Sequence, residues 1–131
     1  MKHLVPLFLL AACGLAAAGS PRQIADGYAS ANGAAFRPSA QRGAEFYARN
    51  FAVSDKMPSC VSCHTEKPGQ PGRHAVTGKD IKPLSPAANA ERLTDPAKVE
   101  KWFRRNCKEV VGRECSAGEK ADFIAFLVEG R

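Results

Sequence analysis

The sequence predicts a small all-α domain with one long loop and too few apolar residues to fill its own core. Helical patterns with capping residues recur along most of the chain, and no segment alternates apolar and polar residues as a half-buried strand would. Residues 65–90 contain the proline- and glycine-rich runs KPGQPG, TGK and KPLSP, which are typical of a loop. A few short helices threaded by such a loop need a large apolar insert to form a stable core.

The first 18 residues are typical of a secretory signal. The start MKH is basic, LVPLFLL is an apolar segment too short to span a membrane, and small residues follow. Ala16 and Ala18 form an A-x-A pattern that predicts cleavage after Ala18, whereas LAAC at residues 10–13 resembles a lipobox that would leave Cys13 as a lipidated N-terminus. Either cut exports the protein to the periplasm, with membrane attachment only through a lipid on Cys13. We therefore expect a signal at 1–18, an N-terminal extension at 19–38 and one domain at 39–131.

The charge of the chain favours a protein partner over nucleic acid. The net charge of +6 falls to +5 when Lys2 is removed with the signal. A modest positive excess suits docking on an acidic redox partner protein. No dense run of lysine and arginine, and no stripe of basic and aromatic residues, indicates a nucleic-acid site.

The first two helices are predicted between residues 21 and 51. Residues 21–33 predict a weak helix that is poorly patterned and interrupted by glycine. Ser39 is a good N-cap for a second helix over 40–51, in which Phe46 and Tyr47 share a face.

Two further helices follow the long loop. Thr94 or Asp95 caps a helix that has Pro96 in its first turn, runs to about residue 108 and stops at Gly112. Ser116 opens a capping box for the last helix. The last helix is expected to bury four apolar side chains, namely Phe123, Ile124, Leu127 and Val128.

Cys60, Cys63 and His64 form the sequence C-x-x-C-H, the attachment signature of c-type haem. The two thiols are spaced to add to the vinyl groups along one porphyrin edge, and the adjacent imidazole then reaches the iron as the proximal ligand. A zinc site would need a second pair of ligands, and a thioredoxin-like pair would need a βαβ context. The sequence offers neither, so we predict one covalently bound haem c.

The ligand on the opposite side of the iron is less obvious. Met57 lies too close to the haem motif to reach the far face, and His74, in the long loop, is more easily placed near the ring edge. No lysine lies on an apolar face. Asn106 does, because a helix over this region aligns it with Val99, Trp102, Phe103 and Val110. It is either the distal ligand or a buried asparagine satisfied by the backbone.

Several motifs resemble the sphaeroides haem protein family, which consists of high-spin monohaem cytochromes. They are CVSCHT, H-x-x-TGKxIxPLxPxxN, and TDxxKVEKWFRRNC followed by GREC, and the similarity extends from about Gly43 to Leu127. The resemblance implies a small class I-like cytochrome c fold, with the helices and the loop wrapped around one haem. It also implies iron ligation by His64 and Asn106 and a disulfide between Cys107 and Cys115. Further implications are binding of diatomic ligands and an electron-donating dihaem c-type cytochrome as partner.

Three classes of function are consistent with a haem ligated by His64 and Asn106. The amide oxygen of Asn106 is a hard, neutral and weak donor that suits ferric iron, so we expect it to detach on reduction and allow O₂ or NO to bind. The main prediction is therefore an electron carrier with a ligand-binding site. The alternatives are a reductase, oxidase or peroxidase acting on O₂, NO or peroxide, and a redox or gas sensor. A peroxidase would want a distal acid–base group, and helix geometry turns Arg104 and Arg105 away from the ligand face.

Supporting roles are expected for residues near the haem. Trp102 and Phe103 are predicted to form the pocket wall. The carbonyl of Pro83 or Pro86 is a candidate to orient His64 through its second ring nitrogen. The candidates for pairing with the haem propionates are Arg73, Lys79 and Arg105, with His74 as a further hydrogen-bond donor.

Overall fold

The computed structural model describes residues 19–129, so the predicted signal and Cys13 lie outside the described residues. The elements within that range are α1 (Pro21–Asn32), α2 (Ala40–Ala48), α3 (Val61–His64), β1 (Gly72–Arg73), β2 (Asp80–Ile81), α4 (Pro96–Asn106), a π-helical segment (Cys107–Val111) and α5 (Ala117–Glu129). The long loop thus contains one short antiparallel hairpin, in which Gly72 pairs with Ile81. No helix in the described range combines the length and apolar character that a membrane span requires.

Helix α1 is better formed than its sequence pattern predicts. Ser20 and Gln23 make the reciprocal hydrogen bonds of a capping box, and Gly27 lies inside the helix without interrupting it. The predicted interruption is wrong because burial on one face outweighs the low helix propensity of a single glycine. Ile24 shares a core with Val99 of α4 and with α5. Residues 19–38, expected as an extension, therefore contribute a packed helix.

A buried carboxylate holds α2 against α5. Ser39 is the N-cap of α2, as predicted, and its backbone N–H donates to the side chain of Asp122 over 2.7 Å. Arg42 Nε donates to the same carboxylate over 2.7 Å and Nη2 over 2.8 Å. Helix α2 ends at Ala48, three residues earlier than predicted, because Arg49 adopts an extended conformation.

Helix α4 begins and ends at well-defined caps. Its N-cap is Asp95, whose carboxylate accepts the N–H of Lys98 over 3.1 Å. The α-helix gives way to the π segment after Asn106, and Gly112 then takes the left-handed conformation that ends it, with φ 78°. The predicted stop at Gly112 is confirmed.

Helix α5 supplies much of the core. Ser116 and Glu119 form the predicted capping box, with bonds of 3.1 and 2.8 Å. Ile124 and Leu127 are fully buried, whereas the other two expected core residues, Phe123 and Val128, are half-buried. Phe126 is also buried, beside Tyr47 of α2.

Candidate haem site

A cavity of about 650 Å³ lies between α3, the long loop and α4. It is the feature that brings the predicted haem contacts together. Its lining contains Cys60, Cys63, His64, Trp102, Phe103 and Asn106. His64 and Asn106, 42 positions apart in sequence, thus face one space, with Cys63 and His64 on α3, Cys60 at its N-cap and Asn106 at the end of α4.

Tyr47 fixes the end of the haem-motif helix. Its hydroxyl donates to the carbonyl of Thr65 over 2.6 Å and contacts the carbonyl of His64 at 3.1 Å. Thr65 has a positive φ of 61°, which turns the chain sharply after α3. Tyr47 is only 2% exposed. The sequence indicated that Tyr47 lies on a buried face but not that it supports His64.

The hairpin of the long loop packs directly on α3. A Cβ at Gly72 would overlap the carbonyl oxygen of Cys63 and lie 3.0 Å from the Cα of His64. The backbone N–H of Ala75 donates to Cys63 Sγ over 3.3 Å. The hairpin therefore forms one wall beside the thiols.

The environment of His64 keeps its imidazole neutral. Burial, followed by the positive charges of Arg92 and His74, lowers the pKa of His64 to about 4. Neutral imidazole is the form that binds a metal. The expected carbonyl partner for His64 is not found: the Pro83 carbonyl accepts from Arg92 instead, and no hydrogen bond within residues 19–129 joins His64 to Pro86.

Asn106 ends α4 with its side chain at the cavity. No hydrogen bond within residues 19–129 engages its amide, so the backbone does not satisfy it there. Trp102 is 43% exposed and lines the same cavity. Phe103 packs edge-on against Tyr28 and Phe123. The stripe predicted on α4 therefore divides, with part of it in the core and part of it in the cavity wall.

Met57 and His74 also line the cavity. The Nδ1 atom of His74 accepts the N–H groups of Val76 and Thr77, each over 3.2 Å. The contact between Ala75 and the Cys63 sulfur keeps this part of the hairpin beside α3. His74 therefore lies near the haem-motif side of the cavity.

The cations around the cavity differ from the expected set. Lys79 and Arg105 line it, but Arg73 lies outside the lining and pairs with Asp80 at 3.2 Å. Arg105 was expected to point away; its long side chain instead lies over the ring of Trp102 at 5.7 Å and pairs with Glu109 at 3.1 Å. Arg92 also lines the cavity, and sequence reasoning missed it.

Cys107 and Cys115 are joined in a disulfide with a Cα–Cα distance of 5.7 Å. Both are buried and pack with Phe46. Cys107 directly follows Asn106, so the bridge ties the end of α4 to the segment that precedes α5.

The cavity fits a covalently held porphyrin. Its volume lies in the range of cofactor sites, and its walls carry Trp102 and Phe103. Cys60 and Cys63 are free thiols, and the neutral imidazole of His64 adjoins them. This site in a small helical fold defines a c-type cytochrome of the class I-like type.

The chain belongs to the family described as a domain of unknown function (DUF1924), whose model matches residues 33–127. It is 42% identical over 127 residues to the cytochrome c-type protein SHP of Cereibacter sphaeroides, covering 96% of each chain. The structure of oxidised SHP, an oxygen-binding cytochrome c, has a TM-score of 0.77 to this fold at 41% identity, over 84% of this chain and 96% of that one.

Cytochrome c'' of Methylophilus methylotrophus is a second relative. It is 45% identical over 100 residues, which are 76% of this chain and 69% of the relative. Its solution structure, which concerns haem-ligand detachment, has a TM-score of 0.71 at 41% identity and covers 82% of this chain and 91% of that one. These comparisons confirm the predicted family, the cytochrome c fold and haem c as the cofactor.

Proposed function

We propose that this monohaem cytochrome carries electrons in the periplasm and binds a diatomic ligand such as O₂ or NO on the distal side of its haem. Cys60 and Cys63 would form the thioether bonds to the haem, and His64 and Asn106 would hold its iron in the oxidised protein. When bound, the haem supplies one-electron chemistry and a coordination position for a small ligand.

The observation that carries this proposal is the shared cavity. His64 and Asn106 lie in one lining with both thiols, and within residues 19–129 neither the imidazole nor the amide is engaged in a hydrogen bond. Two groups that are free to bind therefore approach the same space from different elements, α3 and the end of α4.

Ligand exchange follows from the chemistry of the amide. The neutral oxygen of Asn106 binds the harder ferric ion better than the ferrous ion, so gain of one electron favours its release. The side chain of Asn106 also carries an NH₂ group, which would be available to donate a hydrogen bond to a ligand bound at the haem. The relatives support this direction, because SHP is described as oxygen-binding and cytochrome c'' as showing haem-ligand detachment.

The electron donor is proposed to be an acidic redox protein, in keeping with the dihaem cytochrome that the family resemblance implies. The chain has a net charge of +6, and Arg104 on α4 and Lys108 in the π-helical segment are each more than 60% exposed. Such a surface favours association with an acidic protein and weakens as salt is added.

Optical spectra test the proposal directly. Wild-type ferrous protein is expected to bind CO, and Asn106→Ala is expected to alter the ferric spectrum because the distal ligand is lost. Asn89→Ala is the matched control, since Asn89 is a second amide in the cavity lining that donates to the carbonyl of Pro83 over 3.4 Å. A ferric spectrum unchanged by Asn106→Ala, or a six-coordinate ferrous protein that refuses CO, would overturn the proposal.

Turnover assays address the enzyme alternative. The observation in favour of an enzyme is that Arg105 is among the residues that line the cavity. The ion pair with Glu109 occupies its guanidinium group, which argues against a distal acid–base role. Rapid catalytic consumption of O₂, NO or peroxide in the presence of a reductant would establish an enzyme instead of a carrier.

A further inference from the structure

Arg92 is a half-buried cation in the cavity wall. Its Nε atom donates to the carbonyl of Pro83 over 2.9 Å, and Nη2 donates to the carbonyl of Lys82 over 2.8 Å. Both partners are neutral, and no carboxylate within residues 19–129 forms an ion pair with it. A half-buried guanidinium without an anion is energetically unfavourable.

The other cations of the cavity lining are in different situations. Arg105 has Glu109 as its anion, and Lys79, Lys82 and Lys98 are exposed to solvent. Arg92 alone among these lining cations is half-buried and held in place by two carbonyl groups. Its position is fixed before any ligand is added.

Arg92 lines the same cavity as His64 of the haem motif. Arginine carries five N–H donors, of which the two carbonyl bonds use two. Three donors of a fixed fork therefore remain available in the cavity wall.

We propose that Arg92 binds a carboxylate of the haem from within the cavity and thereby raises the reduction potential of the protein. A haem propionate supplies the anion that Arg92 lacks, and guanidinium pairs with carboxylate in a well-defined geometry. The positive charge opposes the additional charge of the ferric state, so it favours the reduced protein. Arg92 is thus a positioning residue for the haem as well as a source of charge.

This inference goes beyond the proposed function. It rests on the haem cofactor and not on the identity of the distal ligand. The role of Arg92 can therefore be wrong while the assignment of Asn106 is right, and the assignment of Asn106 can be wrong while the role of Arg92 is right. The competing explanation is that Arg92 only braces the loop through the two carbonyls. A brace would affect the free energy of unfolding without affecting the potential.

The test is spectroelectrochemical titration of the holoprotein. Arg92→Gln is expected to have a lower midpoint potential. The variant is therefore expected to be mostly ferric at the potential where the wild-type protein is half reduced. Arg92→Lys retains the charge and is expected to stay near wild type. The control is Arg73→Gln, because Arg73 is 72% exposed and lies outside the cavity lining. A wild-type potential for Arg92→Gln, or equal shifts in Arg92→Gln and Arg73→Gln, would overturn the proposal.

A second measurement covers failure of Arg92→Gln to acquire haem. Arg92→Lys is expected to move the propionate bending band in the resonance Raman spectrum, because one ammonium group replaces the planar fork. Arg73→Lys is expected to leave the band in place. An unmoved band in Arg92→Lys would leave the loop brace as the remaining explanation.

Discussion

Gly72 of the hairpin lies directly against the carbonyl oxygen of Cys63 in the haem-motif helix. The two residues come from segments that meet at the thiol side of the cavity. Any side chain at residue 72 would have to displace the backbone of Cys63, and a backbone shift there also moves His64. The position of the His64 imidazole therefore depends on the absence of a side chain at Gly72, which belongs to the hairpin.

The first prediction is that Gly72→Ala destabilises the protein by about 1–3 kcal/mol, the usual cost of forcing extra atoms into a packed site. We also expect an altered ferric spectrum, because α3 must shift. Chemical denaturation and absorption spectroscopy of the holoprotein measure both effects. Gly69→Ala is the control, since its new Cβ would meet only Ala88, at 4.0 Å. Equal behaviour of the two variants would contradict the close contact.

The second prediction concerns Tyr47. Burial raises the pKa of its hydroxyl, so the group stays protonated, donates to the carbonyl of Thr65 and contacts the carbonyl of His64. Tyr47→Phe leaves these acceptors without that donor and is expected to cost about 1–3 kcal/mol. The axial-ligand bands in the near-infrared are expected to shift as His64 loosens. Tyr28→Phe serves as control, because its hydroxyl binds Glu100 and lies on another element.

The third prediction is that the free energy of unfolding depends on pH through the ionisation of Glu100. Burial raises its pKa, but hydrogen bonds from Lys120 and Tyr28 lower it more, and the net pKa is below the ordinary value. A depressed folded-state pKa contributes stability above the unfolded pKa, and this contribution disappears as the pH falls through the folded value. Wild type is therefore expected to exceed Glu100→Gln in stability at neutral pH and to converge with it in acid.

Urea unfolding at a series of pH values measures this difference. Glu114→Gln is the comparison, because Glu114 is 69% exposed and its ion pair with Lys108 at the surface is long, at 4.0 Å. If the difference in free energy of unfolding between wild type and Glu100→Gln is the same at neutral and acid pH, Glu100 is not the source of the pH dependence.

The fourth prediction is that replacing both Cys107 and Cys115 with serine lowers the free energy of unfolding by about 2–3 kcal/mol. The bridge closes a short loop with a sequence separation of 8, and the magnitude follows from the chain entropy of such a loop. Equilibrium denaturation of the holoprotein provides the measurement. Unchanged stability would show that the cystine does not restrain the unfolded chain.

The features that the sequence predicts correctly are encoded locally. The haem motif, the cap at Ser39 and the capping box of the last helix each lie within a few consecutive residues, and the structure places these elements as expected. Helix periodicity also brought Asn106 into line with Trp102, and both reach the cavity.

The features that the sequence did not predict depend on contacts between distant segments. Tyr47 binds the carbonyl of a residue 18 positions away, and Arg92 holds a carbonyl 9 positions away across a loop without regular periodicity. Arg105 was misjudged because an ideal helix fixes the direction of the Cβ but not the path of a long side chain. Such contacts are set by the tertiary fold and leave no local pattern in the sequence.

The adjacency of Asn106 and the cross-linked Cys107 has a kinetic consequence. Cys107 is 5% exposed and bonded to Cys115, so the backbone at the end of α4 is anchored one residue beyond the amide. Under the proposed coordination, departure of the amide requires rotation about its own side-chain bonds and not displacement of a helix. Rotations of that kind take place in picoseconds to nanoseconds, whereas movements of whole elements take microseconds or longer. The fold then adds no slow movement of a whole element to the departure of the amide.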